Sequence, residues 1–249
     1  MLDVRTTTGV RTRAPLLVSA AVSALLVGSW SAPAAHAGAA PTVARTQELA
    51  VFVRGQTAMT KPDSRSARRV WVERIRPITE GRTVLPVIGH RRDKGGTRWL
   101  RVRLPGRPNG STGWIRKART TRSSTAWHLV VDLSERRVTV YRQGRAVRTF
   151  SGVIGAPATP TPRGKYFVEE SVLLTGGQVG GPYALALSSR SYVFQEFAGG
   201  PGQIAVHGVW NVGGTMGTAA SHGCVRLDTP SITWLGERIG PGVPVTVKS

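Results

Sequence analysis

The chain contains a single cysteine, Cys224, and two histidines lie close to it in the sequence. His222 precedes the cysteine by two residues and His207 precedes it by 17. A lone cysteine has no partner for an internal disulfide, so it is an inert buried thiol, half of an intermolecular disulfide, or a nucleophile. The neighbouring histidines favour the nucleophile, because a thiol attacks as its thiolate and needs a base or a positive neighbour to ionise.

Either histidine has the chemistry of a general base. A thiol with its ordinary pKa of about 8.5 is mostly protonated at neutral pH, and an imidazole can accept its proton and later return it to a leaving amine. His207 follows the strand-like residues 203–206 and precedes Gly208, whereas His222 lies in the same short run as the cysteine. From the residues alone, both histidines remain candidates.

The run around the cysteine also has backbone groups that could take part in catalysis. Ser221 and His222 are followed by Gly223, which lets the backbone approach a substrate closely. The N–H groups of Gly223 and Cys224 are therefore candidates for an oxyanion hole. One cysteine and two histidines lack the fourth ligand and the spacing of a zinc site, so no metal and no cofactor are predicted.

A mostly β domain over residues 127–249 must position these side chains. A helix is predicted to begin near Pro230 with Thr229 or Asp228 as its cap, because proline suits a first helical position and the following apolar residues share one face. The remaining elements are predicted from short apolar runs between turn signals, as strands at 127–133, 137–141, 146–153, 164–169 and 243–247.

Residues 38–118 are predicted to form a separate small β domain, which a polar linker at 119–126 joins to the second. The stretch 99–104 alternates apolar residues with arginine, as a half-buried strand does, and a long turn follows it. The pattern WLRVRLPGRPNGSTGWI resembles the bacterial SH3-like modules that precede cell-wall enzymes, and this resemblance implies a small β-barrel. Its tryptophans are assigned to the core, with a sugar-stacking surface as the alternative: Trp71, Trp99 and Trp114.

Residues 1–37 are predicted to be a secretory signal peptide. They have a basic start, an apolar stretch at 14–28 and an Ala-x-Ala cleavage site at 35–37. The protein is therefore expected to be exported and associated with the cell wall. A formal net charge of +21 favours polyanionic partners, which in that location are anionic cell-wall polymers. The sequence contains no basic run with interleaved aromatic residues, which is the pattern that would indicate nucleic-acid binding.

The sequence around the two candidate bases and the cysteine resembles the catalytic signature of the L,D-transpeptidase (YkuD-type) family. That signature is a His-Gly pair, a glycine-bearing loop, and then Ser-His-Gly-Cys followed by an apolar residue and Arg or Asn. Here it is matched by His207-Gly208 and by residues 221–226, and the stretches TPTPRGKYFV and FAGGPGQIAVHG match the family as well. The resemblance covers about residues 127–248 and implies a β-sandwich-like catalytic domain.

The resemblance implies a role for each matched residue. Cys224 is implied to be the nucleophile, His207 the general base oriented by a carbonyl near Gly208, and Arg226 a residue that holds the donor peptide. Ser221 and His222 are implied to shape the pocket, and Tyr183 is a candidate for a lid.

The implied reaction is the formation of 3→3 cross-links between peptidoglycan stem peptides, through a cysteine thioester and with release of D-alanine. The alternatives are an L,D-carboxypeptidase, in which water resolves the thioester, and a cell-wall-binding protein whose catalytic domain is inactive. Stem peptides are the expected donor and acceptor, no nucleic-acid partner is expected, and a monomer is expected.

Overall fold

The computed structural model describes residues 42–249 except residues 176 and 198, and the predicted signal peptide lies outside this range. The described part is mostly β with one α-helix, which confirms the predicted fold class. Residues Pro41–Ser249 form one compact unit. None of the helices in the described part of the chain is long and apolar enough to cross a membrane.

The first half of this unit is a seven-stranded antiparallel sheet in the order β3-β2-β6-β5-β4-β1-β7. Its strands are β1 (Gln47–Phe52), β2 (Gln56–Met59), β3 (Arg68–Val72), β4 (Val84–Arg92), β5 (Arg98–Arg103), β6 (Thr112–Arg116) and β7 (Thr120–Thr125). In β5, Leu100 and Val102 point into an apolar cluster, whereas Arg101 between them is exposed, as the alternation predicts. The SH3-like barrel stays a prediction.

The linker predicted at 119–126 is wrong for most of its length, because β7 occupies Thr120–Thr125. This strand pairs with β1 along all six of its residues. It lies at the edge of the sheet and its side chains are largely exposed, so polar residues can fill it without burying an unpaired group. Threonine also suits an extended backbone, which the polarity of the segment concealed.

The tryptophans of the first half do not form its core in the way predicted. The apolar cluster of this sheet contains none of them. Trp71 is 53% exposed and Trp114 is half-buried, while Trp99 is only 2% exposed. Leu100, next to Trp99 in β5, belongs to the cluster, so the alternation of the strand puts Trp99 on the opposite face of the sheet.

The second half is an eight-stranded sheet in the order β10-β9-β8-β17-β12-β13-β14-β16, with a two-stranded pair β11-β15 beside it. The strands are β8 (Trp127–Asp132), β9 (Arg137–Arg142), β10 (Arg145–Ser151), β11 (Ile154–Gly155), β12 (Gly164–Leu173), β13 (Tyr183–Arg190), β14 (Gln203–Gly208), β15 (Ala219–Ser221), β16 (Val225–Leu227) and β17 (Pro244–Lys248). These bounds confirm the five strands predicted here to within a few residues.

The helix α1 (Thr229–Gly236) begins where the sequence predicts it. The Asp228 side chain accepts a hydrogen bond from the Ser231 N–H at 2.8 Å, which satisfies one of the free amides of the first turn. Ile232 and Leu235 are fully buried and belong to the main core cluster. The helix contacts β13 and β14, so it packs against the strand that carries His207.

Buried charges join the two halves of the unit. Glu169 and Glu170 on β12 are each 1% exposed. Arg76, from the first half, forms an ion pair with Glu169, whose other oxygen lies 2.9 Å from Arg190 Nη1. Glu170 accepts hydrogen bonds from the N–H and hydroxyl groups of Thr79 at 2.8 and 2.9 Å. Carboxylates this deeply buried need such partners, and these come partly from across the boundary.

Candidate active site

Parallel pairing of β14 with β16 brings the two parts of the motif together. His207 is in register with Arg226, and the same offset places Ala205 beside Cys224. The Ala205 N–H donates to the Cys224 Sγ at 3.4 Å. The thiol thus lies next to a residue two positions before His207, a separation of about 7 Å along the strand. Both side chains are half-buried at one end of the second sheet.

The imidazole of His207 is held in one tautomer. Its Nδ1 lies 2.7 Å from the carbonyl oxygen of Gly208. A carbonyl oxygen can only accept, so Nδ1 carries the proton and donates it. In the neutral ring the lone pair is therefore on Nε2, which is free to accept a proton.

Glycines pack directly against this histidine. The Gly208 N–H donates to the Gly180 carbonyl at 2.7 Å. Gly180 has φ +83°, and a Cβ built there would come 2.6 Å from His207 Nδ1. Only a residue without a side chain fits at position 180, because the His207 ring lies directly against it. No sequence signal indicated that this segment packs on the candidate base.

The cysteine sits at the end of a tight turn that Ser221 closes. The Ser221 hydroxyl donates to the Cys224 carbonyl at 2.5 Å and accepts the Gly223 N–H at 3.1 Å. Gly223 has φ +116°, a conformation that favours glycine. In this arrangement the Gly223 amide is already paired with Ser221, in contrast to the oxyanion-hole role expected for it. The Cys224 amide remains the candidate.

Two threonines from the TPTPRGKYFV stretch support the turn from below. Thr161 is 3% exposed, donates to the Gly223 carbonyl at 2.9 Å and accepts the Gly155 N–H at 3.0 Å. The Thr159 hydroxyl donates to the Ser221 carbonyl at 2.9 Å. The sequence analysis matched this stretch to the family without a role for its threonines, because nothing in a Thr-Pro-Thr-Pro run shows where its hydroxyls will point.

Arg226 anchors the glycine loop that connects the base to the nucleophile. Its Nη1 donates to the carbonyls of Val212 and Gly213 at 3.1 and 3.2 Å. Its backbone also exchanges two hydrogen bonds with Val153 at 2.8 and 2.9 Å. The side chain is half-buried, so its charge acts on the site through a partly dry environment. Its predicted contact with a donor peptide stays a prediction.

The His222 ring packs in an aromatic cluster. Its ring centroid lies 5.8 Å from that of Phe194 and 6.1 Å from that of Phe197, with which it stacks. The side chain is exposed. Its contacts are therefore with the 191–202 loop, and its ring forms a side of the surface next to Cys224.

A residue of the first half holds this loop in place. The Arg107 guanidinium donates to three backbone carbonyls, those of Pro201 at 2.8 Å and of Ser191 and Phe194 at 2.9 Å each. Asn109 adds a reciprocal pair of hydrogen bonds with the Arg190 backbone at 2.7 and 2.8 Å. The sequence marks these residues only as a turn, so their link to the site was missed.

Burial shifts the pKa of each candidate catalytic group so that its neutral form is favoured. It raises the pKa of the Cys224 thiol, an effect that the Ala205 N–H and the Arg226 charge only partly oppose. It lowers the pKa of His207, with the hydrogen bond to Gly208 opposing the shift and Arg226 adding to it. A neutral thiol beside a neutral imidazole is thus the favoured resting state.

Tyr183 is not placed as a lid. It lies in β13 and packs against the helix, where a Cβ added at Gly236 would overlap its ring. Its partners are the core cluster of the second half. A tyrosine near the end of a strand carries no sequence signal that distinguishes a lid from this position.

The candidate site lies within the part of the chain that matches a known protein family. Residues 126–247 match the L,D-transpeptidase catalytic domain, YkuD. This range includes Cys224 and His207. The YkuD protein of Bacillus licheniformis, named as an L,D-transpeptidase, is 27% identical over 121 residues, which cover 49% of this chain and 65% of that protein.

Two further similarities come from mycobacteria. L,D-transpeptidase 1 of Mycobacterium tuberculosis is 27% identical over 126 residues, which cover 47% of this chain and 49% of that protein. A solved L,D-transpeptidase from Mycobacterium smegmatis has a TM-score of 0.40 at 17% identity, covering 66% of this chain and 99% of that one. The chain thus spans about half to two thirds of the length of the curated relatives it matches.

Proposed function

We propose, from the premise that residues 126–247 are an L,D-transpeptidase catalytic domain of the YkuD family, that the protein forms 3→3 cross-links in peptidoglycan. The observation that carries the proposal is the placement of one thiol and one oriented imidazole on neighbouring strands. Cys224 lies against the Ala205 amide, and His207, two residues further along, presents Nε2 as a free base. A nucleophile and a base so arranged are the requirement of acyl transfer.

The first step forms a thioester. Cys224 Sγ attacks the carbonyl carbon of the third residue of a tetrapeptide stem while its proton moves to His207 Nε2. The proton then passes to the nitrogen of the terminal D-alanine, the C–N bond breaks, and D-alanine leaves. Because the resting pair is neutral, the proton moves during the attack, and His207 acts as a general base rather than as the partner of a preformed thiolate.

The second step transfers the acyl group to a second stem. The side-chain amine of an acceptor stem attacks the thioester carbonyl, His207 Nε2 takes a proton from that amine, and the C–S bond breaks. The proton then returns to the Cys224 sulfur. The Cys224 N–H is the proposed donor to the oxyanion of both tetrahedral intermediates. Arg226 is proposed to hold the donor carboxylate with donors that the loop carbonyls leave free.

The test is a product analysis with a purified disaccharide-tetrapeptide and the purified protein. A dimer that lacks one D-alanine is expected, and Cys224→Ala should abolish it. His222→Ala serves as the matched control for His207→Ala. The His207 variant should lose product formation, whereas the His222 variant should retain measurable turnover.

Two other outcomes would favour the alternatives. Tripeptide without dimer would mean that water resolves the thioester, as in an L,D-carboxypeptidase. Binding to walls without any product would mean that the catalytic half is inactive.

The setting of the reaction forms part of the same proposal. Residues 1–37 are proposed to export the protein, and its partners are stem peptides in the cell wall. A first domain at 38–118 and a catalytic domain at 127–249 are proposed as the functional division of the chain. Detection of the tagged protein in separated wall and cytoplasmic fractions of the expressing cells tests this location.

A further inference from the structure

The face of the first sheet opposite its apolar cluster, here called the outer face, carries a row of aromatic and basic side chains. The strand register pairs Trp71 with Thr57, Arg116 with Trp99, and Trp99 in turn with Arg91. Paired residues of an antiparallel sheet share a face, and the pairing of Met59 with Trp114 brings Thr57 opposite Arg116, so the row crosses five strands. At about 4.8 Å between neighbouring strands it is roughly 19 Å long.

Trp71 is a fixed ring that remains open to solvent. Its indole N–H donates to the Glu73 carboxylate at 2.7 Å. A Cβ added at Gly55 would come 2.7 Å from the ring, so the glycine lets the indole lie against the backbone. The side chain is nevertheless 53% exposed. A ligand that stacks on this ring therefore has little side-chain ordering to offset.

Two adjoining clefts run along the row. The first, of about 270 Å³, contains Trp71 and Trp99 together with arginines. The second, of about 350 Å³, also contains Trp99 and is lined by further basic residues. The basic side chains are Arg68, Arg116 and Arg119 in the first cleft and Arg91, Arg92, Arg98 and Lys117 in the second.

These basic groups have no acidic partners of their own. Within the described ranges, none of the seven forms an ion pair with a carboxylate, whereas His90 at the rim lies 2.9 Å from Glu48. The other carboxylates nearby are engaged by indoles, Glu73 by Trp71 and Asp93 by Trp99 at 2.9 Å. The clefts are therefore cationic, with an acceptor oxygen at the edge of each tryptophan.

We propose that the outer face binds an acidic polysaccharide. The exposed face of Trp71 suits the C–H face of a sugar ring, and the guanidinium groups suit carboxylates, which they can bind in bidentate fashion. Glu73 and Asp93 can accept hydrogen bonds from sugar hydroxyls, whereas they would repel the closely spaced phosphates of a nucleic acid. The inference is independent of the proposed catalytic function.

The test is a titration of the full chain with three polymers that separate rings from charge. Oligogalacturonate carries both, dextran carries rings without charge, and poly-glutamate carries charge without rings. Oligogalacturonate is expected to quench tryptophan fluorescence, and binding should weaken as salt rises. Tighter binding to dextran, to poly-glutamate or to a short DNA duplex than to oligogalacturonate would overturn the proposal.

Variants locate the site on the outer face. Trp71→Ala should raise the dissociation constant by roughly tenfold, and Trp71→Tyr should restore most of the affinity because it keeps a stacking ring. Arg145→Ala removes an exposed arginine of β10 in the second half and should change nothing, whereas Arg116→Ala should weaken binding. Equal affinity of the Trp71→Ala and Arg145→Ala proteins would refute the assignment. Product formation from a soluble stem peptide, measured alongside, reports separately on Cys224.

Discussion

Arg107 offers a direct test of how the first half of the molecule supports the candidate active site. Its guanidinium donates to three carbonyls of the 191–202 loop, and this loop carries Phe194, which contacts His222. Arg107→Ala removes all three hydrogen bonds without removing any buried apolar group. We expect the loop to detach more often while the rest of the protein stays folded.

The size of the effect follows from the number and exposure of these bonds. A hydrogen bond to a charged group contributes about 1.5–3 kcal/mol where it is shielded, and less where water competes. Arg107 is exposed, so roughly 0.7 kcal/mol for each of its bonds is reasonable, or about 2 kcal/mol together. That corresponds to a shift of roughly 30-fold in the equilibrium between a closed and an open loop.

Amide hydrogen exchange measures this shift directly. The Ser191 N–H donates to the Gly202 carbonyl at 2.8 Å, and the Phe194 N–H donates to the Ser191 hydroxyl at 3.0 Å. Both amides exchange through the open loop, and where the loop recloses faster than its amides exchange, their rates should rise by roughly 30-fold in Arg107→Ala, in proportion to the opening equilibrium. Arg101→Ala is the matched control, because it removes an exposed arginine of the same sheet that donates only to Thr112.

Two results would refute this reasoning. Unchanged exchange in the loop would mean that other contacts hold it and that Arg107 is dispensable. Equal acceleration across the whole chain would mean that Arg107 supports global stability rather than the loop. With the proposed substrate, we expect Arg107→Ala to raise KM by a larger factor than it lowers kcat. The loop beside the site moves, while His207 and Cys224 keep their positions.

Four further predictions address other features. Gly180→Ala should reduce product formation by tenfold or more, because a Cβ at φ +83° would press on the base, whereas Gly96→Ala, with the same φ and nothing within 4 Å, should not. Glu169→Ala should lower the free energy of unfolding in urea by about 3–5 kcal/mol, because the buried Arg190 loses its carboxylate partner and Arg76 keeps only Glu170, at 3.6 Å. Burial, with the charges of Arg103 and Lys165, lowers the pKa of His128 to about 4, so stability should fall by on the order of 2 kcal/mol as pH drops from about 6.5 to 4, and His128→Gln should flatten that profile. Alkylation of Cys224 by iodoacetamide should accelerate with pH, with a midpoint above about 8.5, since burial raises the pKa of the thiol.

Each of these has a contrary outcome. Full activity in Gly180→Ala would mean that the histidine can shift without loss. A Glu169→Ala protein as stable as the parent would mean that the arginines find other partners or water. A His128→Gln protein with the parent's acid profile would assign the loss to other groups. Rapid alkylation at pH 6 would indicate a preformed thiolate.

The sequence predicts which candidate residues come together better than it predicts the surfaces around them. Cys224 and His207 are identified as candidates because few residue types can act as nucleophile and base, and because their spacing follows a motif. The helix after Asp228 is legible because its cap, proline and apolar face are local signals. By contrast, the hydroxyl contacts of Thr161 depend on a segment more than 60 residues away in the chain, and no local pattern encodes such a pairing.

Two errors share a physical cause. The polar composition of β7 predicts a linker and the size of Trp71 predicts a core position, because composition alone is a poor guide to burial. An edge strand can be polar, and a tryptophan can lie exposed against a glycine backbone. Which face of a strand meets the core is decided by its register with distant strands, and one sequence does not show that register.

The charges buried between the two halves limit how freely these halves could be recombined. The family range begins at residue 126, yet Glu169 and Glu170 rely on Arg76 and Thr79, and Phe167 packs in the apolar cluster of the first sheet. A fragment cut at that boundary would leave Glu170 without its partners and Glu169 with Arg190 alone, and it would expose the ring of Phe167. Any replacement for the first half, whether it arises in evolution or by engineering, must supply a cation for Glu169, hydrogen-bond donors for Glu170 and an apolar surface against Phe167.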